Sequence, residues 1–366
     1  MGNKTSIKTS EQKQWAREHL VGLEPLLWPI FSPDFKSLDE EGVRNDVRNS
    51  IRHGFCSVFC MSLGLTNEEY RKMIQVACDE AKGKIGVGAS VAGQPLEGDI
   101  EMMEFCKKAG CTYLSIGLSR NPKHRPQTEE EFYQAYLPRM EAAKLPVVLY
   151  ASVVPHQRKF GIDGVPINVF DRLADLPNVV AVKVSQPVSM TATLQLCERT
   201  CGRLIIGPTN LDFVPILAKH YHQQWSGQWN VEAVNSPGKP YGVEMMKLFG
   251  QGKYDEAMKL FDIIEPLHSA FFQLQVGYIR QTNHPWGHNK YYQWVVGGNG
   301  GLIKNLHYKN DLVQPLDDKE REKIRNLYHS AGIETVTAPE EEFIVGKAAY
   351  ARGVRAKDLP ETPYYK

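Results

Sequence analysis

The feature of this sequence that most limits its fold is a repeated alternation of strand-like and helix-like segments. Short runs rich in Val, Ile and Leu recur about every 25 to 35 residues, and each is followed by a segment with apolar residues at helical spacing. The seven strand-like runs are residues 23–31, 56–61, 84–90, 112–117, 146–152, 179–185 and 203–207. Such strict alternation predicts a parallel sheet whose strands are joined by right-handed helical crossovers.

A parallel sheet of this kind closes in one of two common ways, as an open doubly wound sheet or as a (β/α)8 barrel. The barrel is favoured because the repeat supplies enough strands to close a ring. In addition, no GxGxxG turn follows the first strand, and the glycine-rich run GVGAS at 86–90 is weak support for a nucleotide-binding turn. The predicted fold class is therefore α/β, a (β/α)8 TIM barrel.

The pattern changes after residue 236, where long helix-like segments follow one another without intervening strands. These segments predict a helical appendage that follows the barrel, and the last stretch is polar with one short apolar patch. The predicted organisation is an N-terminal extension at 1–20, the barrel at 21–236, a C-terminal helical region at 237–333 and a C-terminal arm at 334–366.

The charge balance excludes several kinds of partner. The chain has 366 residues with 43 basic and 42 acidic side chains, so electrostatic capture of nucleic acid or of an anionic membrane is not expected. No run approaches the roughly 18 apolar residues that a membrane helix needs, and the first residues lack the apolar centre of a signal peptide. We therefore predict a soluble, cytoplasmic protein whose partner is a small molecule.

Cysteine and histidine spacing gives no sign of a metal site. The seven cysteines form no CxxC pair, and the histidines form neither an HExxH motif nor a facial triad. The sequence predicts reduced core cysteines, and no metal is assigned.

The run NVVAVKVS at 178–185 places a lysine, Lys183, inside a strand that otherwise reads as buried. Lys183 is near the end of the sixth strand, and Tyr150 holds the corresponding place on the fifth, so both belong at the carboxyl-end face where barrel enzymes react. Apolar walls disfavour a charged amine, which makes the neutral nucleophile available for attack on a carbonyl carbon. Against this, a lysine at a strand end more often reaches solvent, and a tyrosine there is usually a core residue.

Two segments together resemble a known family. LPVVLYASVVP and LPNVVAVKVS are similar to the signature of the class I aldolases and dehydratases related to dihydrodipicolinate synthase and N-acetylneuraminate lyase. In that family a strand ending in a tyrosine-containing YNxP turn precedes a strand ending in the Schiff-base lysine. The segments LLWPIFSPDF, RLIIGPTN and WSGQWN extend the resemblance over most of residues 20 to 333.

The resemblance implies roles for particular residues. Lys183 would form an imine with a 2-oxo acid or other carbonyl substrate, Tyr150 would relay protons, and Gly207 would line the pocket floor. The matching segments also place three polar residues at the substrate, namely Asn210, Ser226 and Asn230. No cofactor is implied, and the family suggests a homo-dimer or homo-tetramer.

Three departures from the family concern the substrate. The family's GTTGE loop, which holds the pyruvate carboxylate, is replaced by the shorter CMSLGLTNEEY, where Ser62 is the plausible remaining hydroxyl donor. The segment SIGLSRNPKHRP at 115–126 replaces a tyrosine pair that completes a proton relay across a subunit interface, so that relay is lost or rebuilt. The longer YASVVPHQRKFGIDG turn offers His156 and Arg158 as binders of a second carboxylate, although an exposed loop cation is the more common interpretation.

The predicted function is therefore a class I, Schiff-base lyase that performs aldol cleavage, condensation or dehydration on a carbonyl substrate. Two alternatives remain open. One is a hydratase-aldolase for an aromatic or larger apolar substrate with a remodelled carboxylate site, which the aromatic residues near the pocket mouth would suit. The other is a non-catalytic small-molecule binding protein on the same scaffold, because a fold and a partial motif do not guarantee activity.

Overall fold

A computed structural model of the chain describes residues 7–62, 65–91, 94–118, 125–200, 202–279, 285–301 and 316–360. Eight strands form one sheet in the order β7-β6-β5-β4-β3-β2-β1-β8, which confirms the predicted (β/α)8 barrel. The strands are β1 (Gly22–Leu27), β2 (Ser57–Cys60), β3 (Gly86–Ser90), β4 (Tyr113–Ile116), β5 (Val147–Ala151), β6 (Val179–Val184), β7 (Ile205–Pro208) and β8 (Trp225–Trp229).

A helix follows each strand, as the alternating pattern predicts. After α1 (Gln12–His19), these helices are α2 (Glu40–Arg52), α3 (Asn67–Ala81), α4 (Leu96–Ala109), α5 (Glu129–Ala142), α6 (Ile167–Leu173), α7 (Met190–Thr200), α8 (Phe213–Ala218) and α9 (Tyr241–Gly250). Several begin at the expected capping residues. Thr66 and Glu69 form a complete capping box at the start of α3, and the Thr128 side chain accepts from the Glu131 amide at the start of α5.

The helices after the barrel confirm the predicted appendage. They are α10 (Tyr254–Ile279), α11 (Trp286–Trp294), α12 (Asp318–Ser330), α13 (Glu340–Val345) and α14 (Lys347–Ala351). Among the helices that the structure describes, none is long and apolar enough to cross a membrane. The four-part division by residue number stays a prediction.

The chain forms two compact units. The first comprises residues 1–22, 87–227 and 246–254. Its centre is the parallel ladder of β4, β5, β6 and β7, and every residue of β6 is buried. Strands covered on both faces carry the continuous Val and Ile runs seen in the sequence, because neither face meets water.

The second unit comprises residues 23–86, 228–245 and 255–366. Here β1 pairs in parallel with β2, and the rings of Trp28 and Trp286 meet edge to face with centroids 4.8 Å apart. Near the chain end, α13 buries Phe343, and the Gly301 amide donates to the Phe343 carbonyl at 2.7 Å. The segment Glu340–Val345 is therefore packed and hydrogen-bonded in this unit.

Candidate active site

Three residues singled out from the sequence lie side by side on neighbouring strands. Tyr150 of β5 is in register with Lys183 of β6, and Lys183 is in register with Gly207 of β7. Residues paired in register across parallel strands have their Cα–Cβ bonds on the same face of the sheet. The structure therefore brings Tyr150, Lys183 and Gly207 together in one row.

The lysine and the tyrosine are joined through a serine. Lys183 is only 6% exposed, and its Nζ donates to the Ser185 Oγ at 3.2 Å. The half-buried Tyr150 donates its phenolic hydroxyl to the same Oγ at 2.9 Å. The Lys183 Nζ also lies 4.4 Å from the centre of the Tyr150 ring. A phenol, a hydroxyl and an amine thus form one hydrogen-bonded chain.

Ser185 is the functional candidate that the sequence analysis missed. It is two residues after Lys183, so the alternation of a strand puts both side chains on the same face. Its backbone amide donates to the Ala151 carbonyl at 2.9 Å, which continues the β5–β6 ladder one step past the end of β6. A search for hydroxyls two residues after the lysine would have found it.

The indole of Trp225 packs against the Gly207 end of this row. Trp225 is fully buried, and a Cβ added to Gly207 would lie 2.3 Å from the Trp225 ring. A Cβ added to Gly227 would meet the same ring at 2.6 Å. Glycine at 207 is therefore required for the indole to pack this closely against β7, which pairs with the strand that carries Lys183.

Two further hydroxyls lie level with Ser185. Ser152 and Thr209 are each two residues after a member of the row, and the Thr209 amide donates to the Val184 carbonyl at 3.0 Å. Both side chains are buried, at 3% and 2% exposure, and neither hydroxyl has a hydrogen-bond partner within the described part of the chain.

Two of the predicted substrate-binding residues in the first unit make local structural bonds. The Asn210 side-chain oxygen accepts from the Asp212 amide at 3.1 Å, in the turn before α8. The fully buried Ser226 donates its hydroxyl to the Pro208 carbonyl at 2.6 Å. Their roles toward substrate stay predictions.

Ser62 and Asn230, also predicted at the substrate, belong to the second unit. Ser62 is exposed after β2, and its carbonyl accepts from the Leu65 amide at 3.1 Å. Asn230 is buried and donates its side-chain amide to the Asn289 carbonyl at 2.8 Å. Residues 63–64 of the shortened loop and residues 119–124 after β4 lie outside the described residues.

The turn after β5 contains both of the predicted cations. Arg158 and His156 are both exposed in a 3-10 helix at Pro155–Phe160. Between them Gln157 is fully buried, and neither atom of its amide has a hydrogen-bond partner among the described residues. The fold thus turns the neutral amide inward and leaves both cations exposed, and the role of Arg158 toward a substrate stays a prediction.

Comparison with known proteins finds matches in one family. The sequence profile of the Dihydrodipicolinate synthetase family matches residues 34–280. The 4-hydroxy-tetrahydrodipicolinate synthase of Rhodospirillum centenum is 29% identical over 217 residues, which are 58% of this chain and 68% of that protein. The enzyme of the same name from Chloroherpeton thalassium is 30% identical over 208 residues, 55% of this chain and 66% of that protein.

Solved structures show the same fold. The chloride-inhibited dihydrodipicolinate synthase of Acinetobacter baumannii, complexed with pyruvate, superposes with a TM-score of 0.63 at 19% sequence identity. The match covers 86% of this chain and 99% of that one. The fold and these relatives define a class I aldolase-type lyase on a (β/α)8 barrel. Within that class, the chain belongs to the dihydrodipicolinate synthetase family, which confirms the resemblance seen in the sequence.

Proposed function

We propose that Lys183 is the Schiff-base nucleophile of this lyase and that its substrate is a carbonyl compound of the 2-oxo acid type. The observation that carries the proposal is the chain of hydrogen bonds from the Tyr150 phenol through Ser185 to the buried Lys183 amine. A buried amine beside a proton-transfer group is the arrangement that imine chemistry needs.

The relatives support the class of substrate. The solved Acinetobacter baumannii enzyme is described in complex with pyruvate, which is a 2-oxo acid. The curated relatives share the name 4-hydroxy-tetrahydrodipicolinate synthase. A 2-oxo acid presents an electrophilic carbonyl carbon to Lys183, and the resulting imine accepts the electron pair of the bond that is made or broken beside it.

Adduct formation tests the nucleophile. The protein is incubated with a panel of 2-oxo acids and aromatic aldehydes, reduced with borohydride, and weighed by intact-protein mass spectrometry. We expect a mass gain with a 2-oxo acid that is absent in Lys183→Met. The exposed Lys144 provides the control, since Lys144→Met should leave the gain unchanged.

The same panel separates the alternatives. A condensation product of the 2-oxo acid with an aromatic aldehyde, detected by mass spectrometry before reduction, would favour the hydratase-aldolase alternative, because the 2-oxo acid forms the imine and the aldehyde accepts the new C–C bond. If no carbonyl compound gives an adduct, the Schiff-base proposal is wrong, and the result favours the alternative of a non-catalytic binding protein.

Removing the phenol tests the role of Tyr150. Tyr150→Phe should slow turnover by about 10²-fold, because loss of a positioned proton-transfer group costs about that factor. The adduct should still accumulate at long times, since the Lys183 amine is intact. Turnover at the wild-type rate in steady-state assays would remove Tyr150 from the mechanism.

A further inference from the structure

We infer that Ser185 is a catalytic residue of the proposed lyase, passing protons between the Lys183 nitrogen and the substrate oxygen within a single chain. The inference rests on the proposed function of Lys183 and adds a group that the resemblance did not supply. The family resemblance implies a proton relay completed across a subunit interface, and this sequence differs at the segment that would supply it.

The bonds at Ser185 leave its hydrogen available. The Oγ accepts from Tyr150 at 2.9 Å and from Lys183 at 3.2 Å, which occupies both lone pairs. The hydroxyl hydrogen is then free to point at a third partner. Ser185 is half-buried, whereas the neighbouring Ser152 and Thr209 hydroxyls are fully buried. Of these three hydroxyls, Ser185 is therefore the one that a substrate can approach.

The backbone holds this hydroxyl in place. The Ser185 amide donates to the Ala151 carbonyl at 2.9 Å, and its carbonyl accepts from the Val188 amide at 3.0 Å. Both main-chain groups are therefore fixed by the sheet and by the turn that follows it. On a fixed backbone a single torsion places the serine oxygen and only the hydroxyl hydrogen need rotate, so little reorganisation is needed for proton transfer.

The proton balance of imine formation matches this position. Attack of the neutral Lys183 amine on the carbonyl carbon forms the C–N bond and leaves the nitrogen with an extra proton and the oxygen with a negative charge. Ser185 takes the proton from nitrogen as it gives its own to oxygen, which yields the carbinolamine. In a second transfer of the same kind, Ser185 takes the remaining N–H proton and gives its own to the hydroxyl, so that the C–O bond breaks, the C=N bond of the imine forms and water leaves. The Tyr150 phenol keeps its hydrogen bond to the serine oxygen during both transfers, so the proton transfer proposed for Tyr150 falls to the later steps at carbon. No oxidant or reductant is consumed.

A relay of this kind predicts an effect on rate rather than on the final amount of adduct. In single-turnover assays with pyruvate and borohydride quenching, Ser185→Ala should slow adduct formation by about 10²-fold, while the plateau reached at long times stays near the wild-type level. Ser185→Thr keeps the hydroxyl and should restore most of the rate. The matched control is Ser152→Ala, which removes an adjacent buried hydroxyl and should leave the rate unchanged.

The readouts distinguish this inference from the proposed function. If the wild-type protein forms no adduct, both the Schiff-base proposal and the Ser185 relay are wrong. If wild type forms the adduct but Ser185→Ala reacts at the wild-type rate, or if Ser152→Ala is slowed equally, the relay is wrong and the nucleophile stands. Failure of Ser185→Thr to recover the rate, with an unchanged melting temperature, would also overturn the relay.

The single-chain arrangement has its own test. Tyr150, Ser185 and Lys183 belong to one protomer, so the single-turnover rate per chain should stay constant as the protein is diluted through any dissociation detected by mass photometry. A rate that falls with dissociation in a still-folded protein would show that a second subunit completes the relay.

Discussion

The absence of a Cβ atom at Gly207 makes room for the Trp225 ring beside the candidate site. The indole of Trp225 occupies the space that a Cβ at 207 would need, only 2.3 Å away. Contacts that short force a shift of the ring or of the strand. The glycine predicted from the sequence to line the pocket floor is therefore also the residue that admits a large ring into the core.

Gly207→Ala should destabilise the protein by about 1 to 3 kcal/mol, the usual cost of inserting a carbon atom into a packed core. Urea unfolding monitored by circular dichroism measures it. The control is Gly238→Ala, because an added Cβ there meets nothing within 4 Å. Combining Gly207→Ala with Trp225→Leu should cost less than the two changes added separately. Strict additivity would contradict the assigned clash.

At the same scale, Lys183 and Tyr150 could be predicted because each stands out from the apolar strand around it. Ser185 and Gln157 could not be chosen in the same way. Serine and glutamine are ordinary residues after a strand, and only the positions of their neighbours determine which hydroxyl meets the amine and which amide is buried.

At the scale of elements, α4 and α5 are joined by a buried ion pair. The Arg139 Nε donates to the Asp99 Oδ2 at 2.7 Å, and the two residues are 9% and 1% exposed. Burial raises the pKa of Asp99 even though the neighbouring guanidinium opposes that change. The pair is therefore costly to break from one side, because the carboxylate would be left buried without its partner.

Arg139→Met should lower the free energy of unfolding by about 3 to 5 kcal/mol, the range for one-sided loss of a buried pair. Adding Asp99→Asn should recover part of the loss, since it removes the buried charge and keeps an acceptor for the Gln94 amide. The exposed Lys72–Glu40 pair has a similar distance of 2.8 Å, so Lys72→Met should cost only about 0 to 1 kcal/mol. Equal losses in chemical denaturation would contradict the difference assigned to burial.

At the scale of the molecule, the second unit encloses a cluster of charged groups from distant parts of the chain. Glu232, Asp46 and Lys290 are all buried, and the Gln293 side chain donates to Glu232 at 2.9 Å. Burial raises the pKa of Glu232 to about 8, with Asp46 adding to the rise, and burial lowers the pKa of Lys290. Folding therefore favours the neutral form of Glu232.

This cluster makes stability depend on pH. The pKa of Glu232 is about 8 in the folded protein and near 4.5 in the unfolded chain. The stability that Glu232 contributes to the folded state is therefore fully present below pH 4.5 and is lost as the pH rises through about 8. Glu232→Gln removes that loss and keeps an acceptor for Gln293. We expect the stability of the variant relative to wild type to rise by at least about 1 kcal/mol between pH 5 and 8.5.

Chemical denaturation at several pH values checks this difference. The exposed Glu97→Gln provides the control and should leave the profile unchanged. A constant difference between Glu232→Gln and wild type across this range would show that folding does not raise the pKa of Glu232.

The sequence by itself determined the barrel, the helical appendage, the family, and the positions of Lys183 and Tyr150. These features depend on the spacing of apolar residues within each helix or strand and on short motifs, both of which can be read from neighbouring residues in the sequence. The tertiary structure decided that Ser185 joins the phenol to the amine, that Gln157 rather than Arg158 is buried, and that Asp46, Glu232 and Lys290 share one interior. Such contacts depend on side-chain reach and on packing between segments far apart in the chain, which no local pattern encodes.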